Sequence, residues 1–285
     1  MRETLDTVIA QSIRPANWII VDDGSTDETP GILAAYARQH AWIEIVTRVD
    51  RGHRAVGPGV IEAFYAGYER INPDDYDFLC KLDLDVRLPP RYFEGLMARM
   101  AAEPRIATCS GKAYIVVNGT LVSERHGDET SIGASKFYRV SCFKALGGFE
   151  RAVMWDGIDC HRCRMHGWIA CSWDDPELRF VHLRPMGSSH KGIYTGRMRH
   201  GYGQYFMGTG FVYMLASAIS RLNERPYVLG SAAMLWGWLS SAVRRRPRLA
   251  DHAFRKFLRR YQRRALMVGK KRAIEEIHRE TGVGR

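Results

Sequence analysis

Acidic residues stand at two points where apolar runs of the sequence end. Asp22 and Asp23 follow the run "WIIV", and Asp83 and Asp85 close the run "YDFLCKLDLDV". In a strand, residues i and i+2 point the same way, so Asp83 and Asp85 share one face. Two hard oxygen ligands at that spacing suit Mg²⁺ or Mn²⁺ bound jointly with a diphosphate.

A purely structural explanation competes with this one. An Asp-Gly turn with capping residues behind it is a common exit from a strand into a helix, and solvated acids need no ligand. For a single Asp-x-Asp the structural explanation is favoured. Two acidic pairs at strand ends of one sheet favour a ligand site, because open α/β sheets bind ligands beyond the carboxyl ends of their strands.

The elements that must position these acids alternate along the chain. Helical spacing of apolar residues predicts helices over residues 2–12, 27–40, 60–71 and 89–104. Short apolar runs predict strands over residues 18–21, 42–46 and 76–86, followed by a β-rich stretch over 106–122. Strands alternating with helices of about ten to fifteen residues predict an α/β fold with a Rossmann-like, mostly parallel sheet flanked by helices.

Four motifs together resemble one enzyme family. The segments "VDDGSTDET", "KLDLD", "ALGGFE" and "WDGIDCHRCRMHGW" occur in this order within about residues 1–184. Their combination is far more specific than any single motif, and it resembles the family 2 glycosyltransferases of the GT-A fold, of the bacterial polysaccharide-biosynthesis type. The resemblance implies an inverting, metal-dependent transfer of a sugar from a nucleotide-diphosphate sugar to a saccharide acceptor, in polysaccharide or glycan assembly.

The resemblance also implies roles for residues on the donor side. Asp22 and Asp23 would contact the base and ribose of the nucleotide, with Asp83 near the ribose. Lys81 and Arg51, the latter in the glycine-rich segment "RGHRAVGPG", are assigned to the same nucleotide.

The metal and the general base follow from the same likeness. Asp85 would carry the metal ion, Mg²⁺ or Mn²⁺, with Asp83 and with His182 of "RFVHLRP" as further ligands; a buried, hydrogen-bonded histidine is the alternative for His182. An acceptor hydroxyl has a high pKa, so a carboxylate must take its proton. The segment "GID" indicates Asp159 as this base. Asp156 is the second candidate, because the alignment of this segment with the family motif is not fixed.

One departure from the family pattern concerns the start of the domain. Family 2 domains open with an apolar strand before the first helix, whereas this chain starts at Met1 inside that helix. A GT-A domain lacking its usual first strand is therefore expected, with unpaired backbone groups beside the next strand. The departure keeps an alternative open, a catalytically degenerate protein that binds nucleotide or lipid-linked saccharide without turnover.

The basic character of the chain belongs to its tail. Residues 244–285 hold 15 Lys and Arg against 4 Asp and Glu, which leaves 27 of each sign in the preceding 243 residues. The composition changes near Pro185, which predicts a catalytic domain over 1–184 and a helical, basic extension over 185–285. A basic tail indicates an anionic surface. Nucleic acid is not expected as that partner, because no aromatic-basic sheet or recognition motif accompanies the tail.

The extension contains three segments with a possible relation to a membrane. The uncharged runs 201–220 and 226–243 have basic residues on every flank, so they are predicted as helices packed on the catalytic domain or lying in the interface. An apolar stripe with basic faces over 251–272 predicts a helix on an anionic membrane surface, the alternative being a helix docked to the core. With no apolar signal region near Met1, the expected location is cytoplasmic, peripheral at the inner face of the membrane, a position that suits a lipid-linked acceptor.

Overall fold

The computed structural model describes residues 1–50, 52, 57–184, 192–223 and 226–281. Cα packing divides the chain into two compact units. The first unit is Met1–Asp156 with Ala170–Leu183, and the second is Gly157–Ile169 with Arg184–Arg285. The elements are described within each unit.

Helices and strands alternate through the first unit, and helices make up most of the second. The helices are α1 (Arg2–Ile9), α2 (Thr29–Gln39), α3 (Pro58–Tyr68), α4 (Tyr92–Ala102), α5 (Val140–Ala145), α6 (Trp155–Met165), α7 (Ile193–Met207), α8 (Phe211–Ile219), α9 (Tyr227–Val243), α10 (His252–Val268) and α11 (Lys270–Glu280). The strands are β1 (Trp18–Asp22), β2 (Ile43–Thr47), β3 (Phe78–Leu82), β4 (Val86–Arg87), β5 (Ile106–Gly111), β6 (Ala113–Val117), β7 (Thr120–Ser123), β8 (Ser135–Arg139), β9 (Ile169–Trp173) and β10 (Phe180–His182).

The strands form three hydrogen-bonded groups, with the orders β1-β2, β3-β8-β5-β9 and β4-β10-β6-β7. The pairings β1–β2 and β6–β10 are parallel, whereas β3–β8, β5–β8, β4–β10 and β6–β7 are antiparallel. The predicted α/β class is confirmed, but the pairing is more mixed than the predicted, mostly parallel sheet. The difference arises because β8 and β10, which the helix-strand alternation did not predict, return antiparallel beside β3 and β4.

The two-stranded β1–β2 sheet is held by helices rather than by further strands. Leu5 of α1 and Ile20 of β1 are buried in one cluster with Ile32, Leu33 and Ile43, and Leu84 packs against that cluster. On α3, a Cβ added at Gly67 would stand 3.1 Å from a methyl group of Val21, so helix and strand are in close contact. Among the described residues β2 is the strand partner of β1.

The β-rich stretch predicted over 106–122 consists of three strands. β6 and β7 form a hairpin whose two turn residues, Asn118 and Gly119, have φ of 50° and 75°. Positive φ at both central positions is the geometry that matches the twist of a two-residue hairpin, and Asn-Gly is its preferred sequence.

The helix predicted as a membrane-surface element, α10, is turned inward. Phe254, Leu258, Tyr261 and Ala265 of its apolar stripe are buried within the second unit. The Tyr261 ring lies 5.1 Å from the His161 ring of α6, and the pKa of His161 is lowered well below its usual value by burial and by Arg164. The docked alternative therefore accounts for the stripe, and it is the basic face of α10 that remains exposed. None of the helices in the described ranges is long and apolar enough to cross a membrane.

Helices α7 and α9 cross with their backbones in contact. A Cβ added at Gly201 would stand 1.9 Å from the carbonyl oxygen of Met234, and one at Gly237 would stand 2.1 Å from that of Met198. Small residues at such crossings are what allows two helix backbones to approach this closely.

We expect Gly201→Ala to destabilise the protein by about 1 to 3 kcal/mol, because the added methyl group meets backbone rather than a movable side chain. Thermal or urea unfolding followed by circular dichroism measures the effect. Gly31→Ala in α2 is the matched control, since a Cβ there meets nothing within 4 Å; it should be neutral or stabilise by up to about 1 kcal/mol. Equal stability of the two variants would contradict the close crossing.

Candidate functional site

The end of β1 presents a buried carboxylate. Asp22 Oδ1 accepts a hydrogen bond from the backbone N–H of Ser25 at 2.9 Å. Asp22 Oδ2 is also buried, and it has no hydrogen-bond partner among the residues that the structure describes. Buried carboxylate oxygens are normally satisfied, so an acceptor of this kind at a strand end is suited to a donor group of a ligand.

Asp23 stands beside it in a more open position. Its Oδ1 accepts from Nη1 of Arg48 at 2.8 Å, and the Arg48 N–H donates to the Asp22 carbonyl at 2.8 Å. At Gly24 the backbone has a φ of 88°, and a Cβ there would stand 2.4 Å from the Asp50 Cα. A side chain at position 24 is therefore excluded both by backbone conformation and by space.

The end of β3 carries a buried ammonium group. Lys81 Nζ forms an ion pair with Asp83 Oδ1 and donates to the Gly133 carbonyl at 2.9 Å. The same nitrogen lies 5.2 Å from the centre of the Trp155 ring, within range of a cation–π interaction. Lys81 thus holds Asp83 in position through one of its N–H groups.

A second buried lysine lies directly opposite. Lys136 of β8 pairs with Lys81 in the antiparallel register, so the two side chains share a face of the sheet. Lys136 Nζ donates to the backbone carbonyl of Asp156 at 3.3 Å. A Cβ added at Gly133 would stand 3.4 Å from Asp156 Oδ2. These contacts place the Asp156 carboxylate beside Gly133, the residue whose carbonyl accepts from Lys81.

Asp85 and His182 lie on neighbouring segments. The Leu183 N–H donates to the Asp85 carbonyl at 2.8 Å, and His182 pairs with Val86 between β10 and β4. Nδ1 of His182 is hydrogen-bonded to Oε2 of Glu124, and both side chains are buried. The carboxylate therefore fixes the orientation of the imidazole and leaves Nε2 for another partner.

Other titratable groups near these strands are held in their neutral forms. Burial lowers the pKa of His126, and the positive charge of Lys112 lowers it further, although Glu124 opposes the shift. Burial raises the pKa of the Cys80 thiol to about 12. The Cys80 thiol therefore does not have the properties of an activated nucleophile at neutral pH.

The structure brings most of the predicted site residues into one region. Leu84, between Asp83 and Asp85, packs against the cluster that contains Ile20 of β1, so the two acidic segments adjoin. The first unit holds Asp22, Asp23, Lys81, Asp83, Asp85, Asp156 and His182. Asp159 is buried on α6 three residues after Asp156 and belongs to the second unit. Arg51 lies outside the described residues.

Two residues of the site were not found from the sequence. Lys136 sits in "SKFYR", where a buried lysine obscures the pattern of a strand. Glu124 meets His182 across 58 residues of chain, and only the pairing of β6 with β7 and β10 brings them together. No spacing in the sequence could have indicated either contact.

The backbone contact between Asp85 and Leu183 places an acid and a histidine on neighbouring segments, and both residue types are ligands of divalent ions. Within the described residues, no group of three His, Cys, Asp or Glu side chains could hold a metal ion alone. Mg²⁺ sites commonly use one or two carboxylates together with substrate phosphates. A metal-binding histidine usually has its second ring nitrogen on a carboxylate, as His182 has on Glu124.

Comparison with known proteins gives a consistent result. The model of the family described as "Glycosyl transferase family 2" matches residues 1–160, more than half of the chain. An undecaprenyl-phosphate 4-deoxy-4-formamido-L-arabinose transferase from Serratia proteamaculans (strain 568) is 25% identical over 162 residues, which are 53% of this chain and 44% of that protein. The chain thus spans less than half the length of this curated relative.

A solved structure shares the fold. The mannosyltransferase PcManGT from Pyrobaculum calidifontis, in complex with GDP-Man and Mn²⁺, matches with a TM-score of 0.50 and 16% identity, over 99% of this chain and 81% of that chain. This similarity confirms the GT-A fold that the motifs predict.

We expect Glu124→Ala to weaken Mn²⁺ binding about 10- to 100-fold, because His182 loses the carboxylate that orients it. Titration of Mn²⁺ by electron paramagnetic resonance, in the presence of a nucleoside diphosphate, measures the affinity. Glu69→Ala is the control, since the Glu69 side chain is exposed and 3.9 Å from its partner Arg151. Unchanged Mn²⁺ affinity in a folded Glu124→Ala protein would show that His182 is a structural histidine.

Proposed function

The chain belongs to glycosyl transferase family 2, and from that membership we propose that it transfers a sugar from a nucleotide-diphosphate sugar to a saccharide acceptor. The observation that carries the proposal is the meeting of two acidic strand ends, Asp22–Asp23 and Asp83–Asp85, through the packing of Leu84. The carboxyl edge of an α/β sheet is where such a donor binds.

The donor would be held mainly by groups of the first unit. The buried Oδ2 of Asp22 would accept an N–H of the nucleobase, which supplies the hydrogen bond that this oxygen otherwise lacks. Asp23, paired with Arg48 but partly exposed, would reach a ribose hydroxyl, with Asp83 nearby. Lys81 acts in this scheme as the group that positions Asp83. Arg51 would contact the same nucleotide.

Asp85 and His182 would hold a divalent ion, Mg²⁺ or Mn²⁺, together with Asp83. When bound, such an ion neutralises negative charge that develops on the departing nucleoside diphosphate. Glu124 contributes by holding the His182 ring in one orientation.

The transfer requires a general base and, for inversion, a single displacement at the anomeric carbon. Asp156 is the better candidate, because its carboxylate lies beside Gly133, whose carbonyl accepts from Lys81, and because the residue is only partly buried. Asp159, which the sequence favours, is almost fully buried and so is less accessible to an acceptor hydroxyl. Taking up that proton as the hydroxyl attacks is the role that we assign to the carboxylate of Asp156.

The acceptor class is proposed from the relative, which is named for an undecaprenyl-phosphate substrate. A lipid-linked saccharide or polyprenyl phosphate would place the reaction at the cytoplasmic face of a membrane, in polysaccharide or glycan assembly. Binding of nucleotide without turnover is the second candidate function, because the buried acceptor oxygen of Asp22 supplies a binding contact but no chemical step.

We expect one nucleoside diphosphate, with Mn²⁺, to raise the melting temperature, since a ligand at about 100 times its Kd stabilises the folded state by about 2.7 kcal/mol. Differential scanning fluorimetry with a panel of nucleotides measures the shift. Asp85→Ala should lose the Mn²⁺-dependent part, whereas Asp74→Ala, which changes an exposed acid paired with Lys144, should keep it. A folded protein that responds to no nucleotide would contradict the donor site.

We expect Asp156→Asn to lower turnover about 10²- to 10⁴-fold, the usual contribution of a general base, while the nucleotide-induced shift is kept. Release of nucleoside diphosphate from a panel of sugar donors measures turnover. Asp159→Asn is the matched comparison and should change turnover less than about tenfold. The reverse ranking would assign the base to Asp159, and nucleotide binding without any turnover in the wild-type protein would favour the binding function.

A further inference from the structure

Helix α8 of the second unit is mostly apolar, with Tyr213 and Ser217 as its polar side chains. Met214 and Ala218 are buried against its neighbours, as expected for the inner face of a surface helix. Its outer side carries Val212, Leu215 and Ile219, whose exposed fractions are 68%, 38% and 58%. Apolar side chains on both the inner and the outer side of a helix are typical of one that is covered on both sides by protein or by lipid.

Helix α9 repeats the pattern over a greater length. Its inner face buries Met234 and Trp238. Leu229, Trp236 and Val243 are spaced at seven residues along its outer side, and their exposed fractions are 63%, 62% and 82%. No charged residue occurs within Tyr227–Val243.

The two outer faces belong to one packed group of helices. Met214 and Ala218 of α8 pack with Met234 and Trp238 of α9, and Tyr205 of α7 completes the cluster. The glycine crossing of α7 and α9 fixes the third helix against this pair. The exposed apolar side chains of each helix are therefore presented by a packed group of helices rather than by a loop, and each helix exposes several of them along one side.

The charge of this region selects the partner. From residue 178 to residue 250 the sequence contains one acid, Glu224, whereas arginines lie on both sides of α8 and α9. The exposed Arg244 and Arg245 follow directly after Val243. A symmetric contact with a second copy of the chain would bring these basic flanks against each other, whereas an anionic surface would neutralise them.

We propose that the outer faces of α8 and α9 dock the protein on an anionic lipid bilayer, with their apolar side chains in the boundary between head groups and acyl chains. Trp236 lies at the level where tryptophan is enriched in membrane interfaces, and the flanking arginines contact acidic head groups. We assign membrane contact to this surface and not to the apolar stripe of α10, because most side chains of that stripe are buried. The inference stands apart from the proposed transfer reaction, since it needs no donor or acceptor.

Flotation of the full chain with lipid vesicles tests the proposal. We expect binding to phosphatidylcholine vesicles that contain phosphatidylglycerol, at least about tenfold stronger than to pure phosphatidylcholine. The variant Leu215→Ser/Ile219→Ser/Trp236→Ser should lower this binding roughly 100-fold, because three membrane-facing apolar groups are lost. Leu121→Ser/Val122→Ser is the matched control, since it changes two exposed apolar residues of the β6–β7 hairpin, and it should bind as the wild type does.

Depth-dependent quenching by brominated lipids supplies a second readout that needs only a conservative change. Tryptophan fluorescence of the wild-type protein should be quenched on anionic vesicles, and Trp236→Phe should lose most of that quenching. Absent binding by the wild type, full binding by a folded triple variant, or equal quenching in Trp236→Phe would each overturn the proposal. Self-association of the wild type that the triple variant abolishes would assign the face to a second copy instead.

Discussion

Two buried ammonium groups, Lys81 and Lys136, face each other across β3 and β8, and the surrounding part of the first unit must compensate them. Like charges directly opposite in a sheet repel, and a buried charge without a partner is costly. Asp83, the Gly133 carbonyl and the Trp155 ring surround Lys81, and the Asp156 carbonyl accepts from Lys136. The end of β3, which carries Asp83, and the Asp156 backbone are therefore held by contacts with these two lysines.

This constraint divides the acids by role. One oxygen of Asp83 is committed to Lys81, so Asp83 helps to hold the fold whether or not a ligand is bound. Asp22, by contrast, keeps one buried oxygen without a partner in the described structure. A residue that stabilises the folded state cannot be recognised from its motif alone, because "KLDLD" looks the same in both roles. The distinction appears only when the strand pairing brings Lys136 and Gly133 to the end of β3.

How much the sequence could predict depends on whether the decisive contact is local. The strands at 18–21 and 42–46 and the acids at strand ends follow from spacing along the chain, and the structure has these elements within one residue or two. Glu124 and His182 meet through the pairing of distant strands, so their contact has no local signal. β8 was not predicted, because it contains the buried Lys136 in "SKFYR". Sequence patterns assume that charged residues are exposed, so a lysine at this position argues against a buried strand.

The helices of the C-terminal tail also show that local spacing does not identify the partner of an apolar face. The apolar stripe of α10 correctly indicates that one face of the helix is removed from water, but its spacing is the same for a face that packs on protein and one that lies on lipid. In α10 the protein itself supplies the cover, through contacts such as that of Tyr261 with His161. In α8 and α9 the inner faces are covered in the same way, and the outer faces remain apolar. Amphipathic spacing thus identifies a helix whose one apolar face can be buried by the rest of the protein. A second apolar face that stays exposed in the folded protein is the feature that indicates a partner outside the chain.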